Sequence, residues 1–474
     1  MTTPPTPHID RRTLLGGLAS APLFGLEAPA LAAGKRPNIL FISIDDLNDW
    51  TGVLGGHPQA STPHLDALAA SGRNFRQAHC NAPVCNPSRT AVLSGLAPHV
   101  SGVYGNQSAW WKGIGDAPTL PALLRTVGYR TLGAGKVFHF GDRSAWDDYM
   151  GDPCEKVQGD EGVHPTKARH GRAGELNWGP ARSDQPGIHP DQKVAQWVAE
   201  QLAKPHQQPF FLGCGFYKPH LAWYTPRRFY DARDLDEVVL PEVPDDELDD
   251  IPPIGRRLAH IETHQRIIQK DAWKEAVRAY LAAVSFADQQ LGRVLSALKT
   301  SGRAHDTIVI VWSDHGWSLG EKFHWKKHAL WEECTRVPLV VAGPGVEPGV
   351  CDRVVSLCDL YPTVARLCGA VPHSRVAGHD LAPLLMHPAV RWDHPCLTSQ
   401  GPGNHAIRTE RWRYIRYEDG TEELYDHHVD AGEHVNLAGR PEAADVLARL
   451  RPLIPTDVAP PAPDLRNKCR PRGG

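Results

Sequence analysis

The chain has 474 residues, 41% hydrophobic and 22% charged, with 51 Lys and Arg against 54 Asp and Glu for a formal net charge of -3. That length accommodates one large domain with a smaller appendage, and that balance excludes a general nucleic-acid or polyanion binder, which is basic overall. Ten cysteines in a chain of this size are not a dense disulfide framework.

The amino terminus carries Asp10-Arg11-Arg12-Thr13-Leu14-Leu15, then an apolar stretch rich in Gly, Ala and Leu to Ala33, with Ala30-Leu31-Ala32 as a small-residue cleavage site. Residues 1–33 therefore read as a twin-arginine-type signal peptide and are set aside from fold reasoning. The stretch is too short and too mixed for a membrane anchor. The expected location is bacterial, periplasmic or secreted, with no stable membrane insertion.

Residues 34–394 alternate strand-like and helical patterns. Asn38-Ile39-Leu40-Phe41-Ile42-Ser43-Ile44 is an apolar, β-branched run ending in Asp45-Asp46. It reads as a central parallel strand with ligands at its carboxyl end, although either aspartate also suits the N-cap of a following helix. Next comes Cys85-Asn86-Pro87-Ser88-Arg89, whose cysteine by itself suits a buried small hydrophobe. Further strands are predicted at Arg130–Ala134, Phe210–Phe216, Thr307–Trp312 and Val337–Val341, and a helix from Trp273 to Leu298, where apolar residues recur at three- and four-residue steps. Asp142 to Asp191, polar and rich in Gly and Asp, is expected to be a long surface insertion at a pocket mouth, and Leu240 to Pro253 a loop.

The Thr307 run continues through Ser313 into Asp314-His315-Gly316. Two strands distant in sequence thus each end in hard ligands, which suggests one shared divalent cation. The carboxylates favour Ca²⁺ or Mg²⁺, while the imidazole also suits a transition metal. The alternation predicts an α/β fold, a large and mostly parallel sheet with helices on both faces, its site at the carboxyl edge of the strands.

Near residue 395 the pattern changes. Ala406–Thr409, Trp412–Tyr417 and Glu423–Asp426 read as short strands with a turn at Glu418-Asp419-Gly420. This predicts a small antiparallel α+β C-terminal subdomain over residues 395–474, with a Pro-rich, poorly ordered tail beyond Ile454. Cross-strand pairs account for its Trp and Arg interleaving without nucleic acid. Cys351 and Cys358 lie near one another, but their pairing cannot be deduced from sequence.

Taken together, Cys85-x-Pro87-Ser88-Arg89, Pro37 to Leu47, Gly135-Lys136-Val137-Phe138-His139, Tyr217-Lys218-Pro219-His220 and Ser313 to Glu321 resemble the sulfatases of the alkaline phosphatase superfamily, most nearly the iduronate-2-sulfatase type. The resemblance covers roughly residues 36 to 440. It implies an alkaline phosphatase-like fold and oxidation of Cys85 to formylglycine by a formylglycine-generating enzyme. The hydrated aldehyde offers one hydroxyl to attack sulfur and a second to expel the product, by way of a sulfated-enzyme intermediate.

The resemblance also implies roles. Asp45, Asp46, Asp314 and His315 would hold one Ca²⁺, together with an oxygen of the residue made from Cys85. Arg89 would pair with the formylglycine hydroxyl, where a guanidinium suits a crowded anionic site. Lys136 and His139 form a Lys-x-x-His pair beside the nucleophile, with Asp314 a candidate base for attack and His139 for collapse. His220 and Lys327 would grip the sulfate and its leaving oxygen, though Lys326 and His328 flank Lys327 in the same basic stretch. Cations fixed around a sulfate ester stabilise charge developing on the leaving oxygen. Where sulfatases usually continue Leu-Thr-Gly-Arg, this chain reads Leu93-Ser94-Gly95-Leu96, a departure that bears on maturation.

The implied substrate is a sulfated carbohydrate, with 2-O-sulfated uronic acid in front. The alternatives are another sulfated polysaccharide, a small sulfate ester such as choline sulfate, a formylglycine-dependent phosphonate monoester or phosphodiester hydrolase, and a non-catalytic glycan binder with an unmodified cysteine.

Overall fold

A computed structural model describes residues 36–465 and 469–470, apart from 153, 155–170, 174–175, 182–184, 186 and 188. The expected signal peptide lies outside the described residues. Among them, no helix is long and apolar enough to cross a membrane.

The eight-stranded sheet runs in the order Gly349–Ser356, Arg73–His79, Arg336–Ala342, Thr307–Ser313, Asn38–Ile44, Phe210–Phe216, Arg130–Gly135, Asp148–Tyr149. Only Arg336–Ala342 runs against its neighbours; the other pairings are parallel. The central strands are mostly apolar because both faces are covered. Leu40, Ile42, Val309, Val311 and Leu212 enter one core with the long helix Trp273–Thr300 and the helix Pro190–Ala203. Ile39, Phe41, Ile308, Ile310 and Phe211 enter the other, with Val92 and Leu93 of the helix Cys85–Ser94 and Leu360 and Val364 of the helix Leu360–Leu367. The period-2 direction of strand side chains thus splits one apolar run between two cores.

The second sheet is antiparallel, in the order Cys396–Gln400, Asn404–Arg408, Trp412–Arg416, Glu422–Asp426. Its faces also divide. Ile407, Tyr414 and Leu424 pack with Val446, Leu447 and Leu450 of the helix Ala444–Leu450. Ala406, Ile415 and Tyr425 pack with Ile254, Leu330 and Trp331, joining this sheet to the body that carries the site.

Several expectations are corrected. Arg73–His79, Gly349–Ser356 and Cys396–Gln400 are strands absent from the sequence reading. Arg-Asn-Phe-Arg-Gln-Ala-His has no apolar run to betray it, yet most of it is buried. The stretch Asp142 to Asp191 is not wholly surface: Leu176 and Trp178 are buried in the first core. Asp191 is itself buried and accepts the N–H groups of Tyr217 and Lys218, at 2.7 and 2.9 Å. Nor is the described tail loose. Ala459 and Ala462 donate to the carbonyls of His99 and Gly102, Leu465 donates to Gln107, and Ala109 donates to Pro463. Prolines cannot donate but leave their carbonyls free for such an arrangement. Cys351 and Cys358 are both free and buried.

Candidate active site

The site lies where four parallel strands end. Ile44 pairs in register with Ser313 and Phe216, and Gly135 with Gly215. Asp45 and Asp46, Asp314 and His315, Lys136, and the Tyr217-to-His220 loop therefore issue side by side. Asp46 turns the chain out of its strand with φ 61°, a left-handed conformation that Asp tolerates better than most residues. The turn is held at both ends, for its N–H donates to Asp314 Oδ1 at 3.1 Å and its carbonyl accepts the Tyr280 hydroxyl at 2.7 Å.

Cys85 opens the ten-residue helix Cys85–Ser94, every residue of which is buried. Pro87 sits in the first turn, where its missing N–H costs nothing. The spacing of the pentapeptide places Ser88 and Arg89 one turn on from Cys85, on the same face. At the helix N-terminus, unpaired N–H groups and the dipole favour negative charge at this position. Gly95 ends the helix in a left-handed turn with φ 71°, and Leu96 beyond it is fully buried in the second core.

Around the Cys85 sulfur stand Lys327 Nζ at 3.1 Å and His315 Nε2 at 3.2 Å. Lys327 also donates to Asp46 Oδ1 at 2.7 Å and lies over the Trp317 ring. Lys136 pairs with Asp45 Oδ2. Burial works to raise the thiol's pKa, but Lys136 and Lys327 outweigh it and bring it down to about 5. Burial likewise opposes ionisation of Asp45, yet Lys136, His220 and Arg89 hold its carboxyl well below the ordinary range. Asp314 goes the other way, pushed up to about 7 chiefly by burial, with Arg89 opposing.

Arg89, fully buried, spends its donors on the carboxylates rather than on sulfur. Nε donates to Asp314 Oδ2 at 2.8 Å, Nη2 to Asp45 Oδ1 at 3.1 Å, and Nη1 to Ser43 Oγ at 3.1 Å and to the carbonyls of Lys136 and Val137. It locks three strand ends together, which a lysine's single ammonium cannot do. His139 is near-buried, its Nδ1 without a hydrogen-bond partner. Burial, with Lys136 adding to it, holds its pKa well below the usual value and favours the neutral imidazole. His220 keeps 36% of its side chain exposed, with Nε2 3.9 Å from Asp46 Oδ2. Of the three candidates in the basic stretch, Lys327 is the one on the sulfur. Lys326 pairs its backbone with Ser318, and the N–H of His328 donates to Pro83.

Three supporting residues escaped the sequence reading. Ser43, next to the carboxyl end of an apolar strand, accepts from Arg89 and donates to the Lys136 carbonyl at 3.1 Å. Tyr280 fixes the Asp46 turn, and the buried His324 holds the Lys327 segment. Only Ser43 carried a signal, as a polar residue in an otherwise apolar run.

The donor set fits a divalent cation. Ligand atoms of Asp45, Asp46, Cys85 and His315 all lie within 4.8 Å of one another and all four residues are buried. Asp46 Oδ2 is buried without a hydrogen-bond partner, a costly state unless something positive meets it. His315 donates Nδ1–H to the Gly316 carbonyl at 3.0 Å, and its Nε2 is turned toward Cys85 and Asp46. Asp314 and the Cys85 sulfur overcome burial and raise this histidine to about 9. Asp314 stands at the edge of the set, bonded to Arg89 and the Asp46 backbone.

Residues 37–370 match the Sulfatase family, and residues 320–456 match the C-terminal region of N-sulphoglucosamine sulphohydrolase. A sulfatase of Formosa agariphila is 37% identical over 89% of this chain and 86% of its own length. The iduronate 2-sulfatase of Homo sapiens is 31% identical over 77% of this chain and 75% of its own. In structure, the phosphonate monoester hydrolase of Agrobacterium radiobacter superimposes with a TM-score of 0.74 over 88% of this chain and 95% of its own, at 20% identity. That likeness bears on the fold alone.

Proposed function

Because the chain belongs to the sulfatase family and is a sulfuric ester hydrolase, we propose that it removes a sulfate ester from a carbohydrate, with a 2-O-sulfated uronic acid as the leading substrate. The proposal includes a formylglycine made from Cys85 and a Ca²⁺ held by Asp45, Asp46, Asp314 and His315. The observation that carries it is the position of Cys85. Its sulfur lies at a buried helix N-terminus, 3.1 Å from the Lys327 ammonium and 3.2 Å from His315. The match to an iduronate 2-sulfatase supports the choice of sugar.

When bound, the cation supplies positive charge that neutralises and orients an anionic ester. The hydrated aldehyde supplies one hydroxyl for attack and a second for release of sulfate. The chain's own residues do the rest. Lys327, already fixed beside the nucleophile, stabilises charge on the leaving oxygen. His220, open to the mouth, grips a sulfate oxygen. Asp314, held beside the nucleophile by Arg89, takes the proton of the attacking hydroxyl. His139, kept neutral, takes the proton of the second hydroxyl as the enzyme is restored. Lys136 and Arg89 keep Asp45 ionised and the strand ends in register. Export of the folded, matured enzyme by the twin-arginine route accords with Arg11-Arg12.

The test is sulfate release by enzyme matured alongside a formylglycine-generating enzyme. Its substrates are a heparin-derived oligosaccharide ending in 2-sulfated iduronate, an aryl sulfate and a matched phosphonate monoester. Release from the sugar, lost in Cys85→Ala, is the expected result. Aryl sulfate hydrolysis alone would redirect the search to other sulfate esters, and a preference for the phosphonate would overturn the proposal.

A further inference from the structure

The segment Lys322 to His328, which delivers Lys327 to the nucleophile, is held in a shape that free chains avoid. Lys322, Phe323, Lys326 and His328 have φ of 51°, 48°, 80° and 86°, all in the left-handed region disfavoured for L residues. Surrounding contacts must therefore impose it. At one end Lys322 Nζ donates to Glu247 Oε1 at 2.6 Å and to the Glu433 carbonyl. At the other, the N–H of His328 donates to the Pro83 carbonyl at 3.1 Å, two residues before Cys85.

Between these ends stands His324, with no exposed surface. Its Nδ1 accepts the backbone N–H of His260 at 2.8 Å, and its Nε2 meets the carbonyl of Lys327 at 3.1 Å. A backbone N–H only donates and a carbonyl only accepts, so the ring is the neutral Nε2–H tautomer. Burial, aided by His260 and His328, holds its pKa well below the ordinary histidine value, in keeping with that form. Both ring nitrogens are thus committed to backbone groups, one of them belonging to the lysine on the sulfur.

We propose that His324 is a positioning residue for Lys327. Its Nε2–H fixes the Lys327 carbonyl and thereby the direction in which the ammonium reaches the leaving oxygen. The inference rests on the reading of Lys327 given above. Without the donor, a buried carbonyl loses its partner and the left-handed segment has a reason to relax. A displacement of ~1 Å at a reacting group costs ~10²-fold in rate.

Three variants separate the bonds. His324→Gln reaches as far as imidazole Nε2 and retains a donor for the Lys327 carbonyl. His324→Asn retains an acceptor for the His260 N–H but is too short to reach Lys327. His324→Phe keeps bulk and loses both bonds. Each is assayed, with Lys327→Ala, on a sugar sulfate with a poor leaving group and on 4-nitrophenyl sulfate with a good one. A lysine acting on the leaving oxygen matters most when the leaving group is poor.

The expected result is a fall in kcat of ~10²-fold on the sugar sulfate for Asn and Phe, a much smaller fall on the aryl sulfate, and near wild-type values for Gln. Crystal structures should show Lys327 Nζ moved from its 2.7 Å contact with Asp46 in the Asn variant and kept there in the Gln variant. Equal losses on both substrates, or none, would overturn the inference while Lys327→Ala still shows the selectivity. If Lys327→Ala is itself indifferent to the leaving group, the reading of Lys327 falls and this one with it. Should the Phe variant fail to fold, the comparison of Asn with Gln decides the matter.

Discussion

Lys327 and Cys85, far apart in the chain, meet with ammonium and sulfur 3.1 Å apart at the head of a buried helix. Lys136 and this contact bring the Cys85 thiol down to about 5, which sets it apart from an inert core cysteine. The expected mass spectrum of the Cys85 peptide, from enzyme matured with its partner, shows the CH₂SH group replaced by CHO. Cys85→Ala should lose at least ~10³-fold in kcat, the loss expected when a nucleophile acting in concert with its neighbours is removed. A fully active protein whose Cys85 peptide keeps the thiol mass would remove formylglycine from the account.

Asp46 Oδ2 is buried without a hydrogen-bond partner, with His220 Nε2 no nearer than 3.9 Å, and so suits a cation. Treatment with EGTA is expected to abolish turnover and lower Tm, and Ca²⁺ to restore both. A ligand that binds only the folded state at 100 times its Kd adds about 2.7 kcal/mol of stability, so the shift is measurable. Asp46→Asn should raise the Ca²⁺ concentration needed for rescue. Identical Tm and turnover before and after chelation would exclude a resident metal.

Beside its apolar contacts, the seam between the C-terminal sheet and the body carries buried ion pairs. Glu332 accepts from Arg408 Nε at 3.1 Å and from Arg413, while Arg413 Nε also meets Glu433 Oε1 at 2.5 Å. Glu332, His427 and Glu433 have donor atoms close enough for a metal, but the two guanidiniums already supply the positive charge. Burial opposes ionisation of Glu332, yet Arg408 and Arg413 prevail and hold its carboxyl well below 4.5. A carboxylate depressed in the folded state contributes stability above its unfolded pKa and loses it as pH falls through the folded one. Glu332→Gln should therefore cost about 3 kcal/mol at neutral pH, with the gap to wild type closing below pH 4.5. Urea midpoints at pH 7 and at acid pH check this, and a gap independent of pH would contradict it.

The site was readable where chemistry follows strand geometry. Apolar runs covered on both faces announce themselves, so Asp45, Asp46, Asp314 and His315 fell at adjacent strand ends as expected. Cys85, Ser88 and Arg89 share a face of the helix Cys85–Ser94, an element absent from the sequence reading. Arg73–His79 stayed hidden because its buried polar residues break the apolar pattern. His324 stayed hidden among 25 histidines, since its role depends on two backbone partners and not on residue type. The choice among Lys326, Lys327 and His328 was open for a related reason: side-chain direction there is set by positive φ at Lys326 and His328.

His220 offers the cleanest separation of function from stability. It follows the strand Phe210–Phe216 on a loop whose N–H groups at Tyr217 and Lys218 are held by buried Asp191, so its backbone is fixed without its side chain. More than a third of that side chain is exposed, and its Nδ1 meets only the neighbouring Leu221 carbonyl, at 2.7 Å. His220→Ala is expected to leave stability within ~0.5 kcal/mol of wild type, as for surface substitutions. It should nevertheless lower kcat/KM on the sugar sulfate by ~10²-fold, the scale of a lost polar contact to the reacting group. A sulfate oxygen carries its charge in the ground state as well as the transition state, so part of the loss should appear in KM. Asp191→Ala should lower both stability and turnover, because it frees the loop. If His220→Ala is as active as wild type, the sulfate is gripped from elsewhere, and the Lys327 side of the site must carry the anion alone.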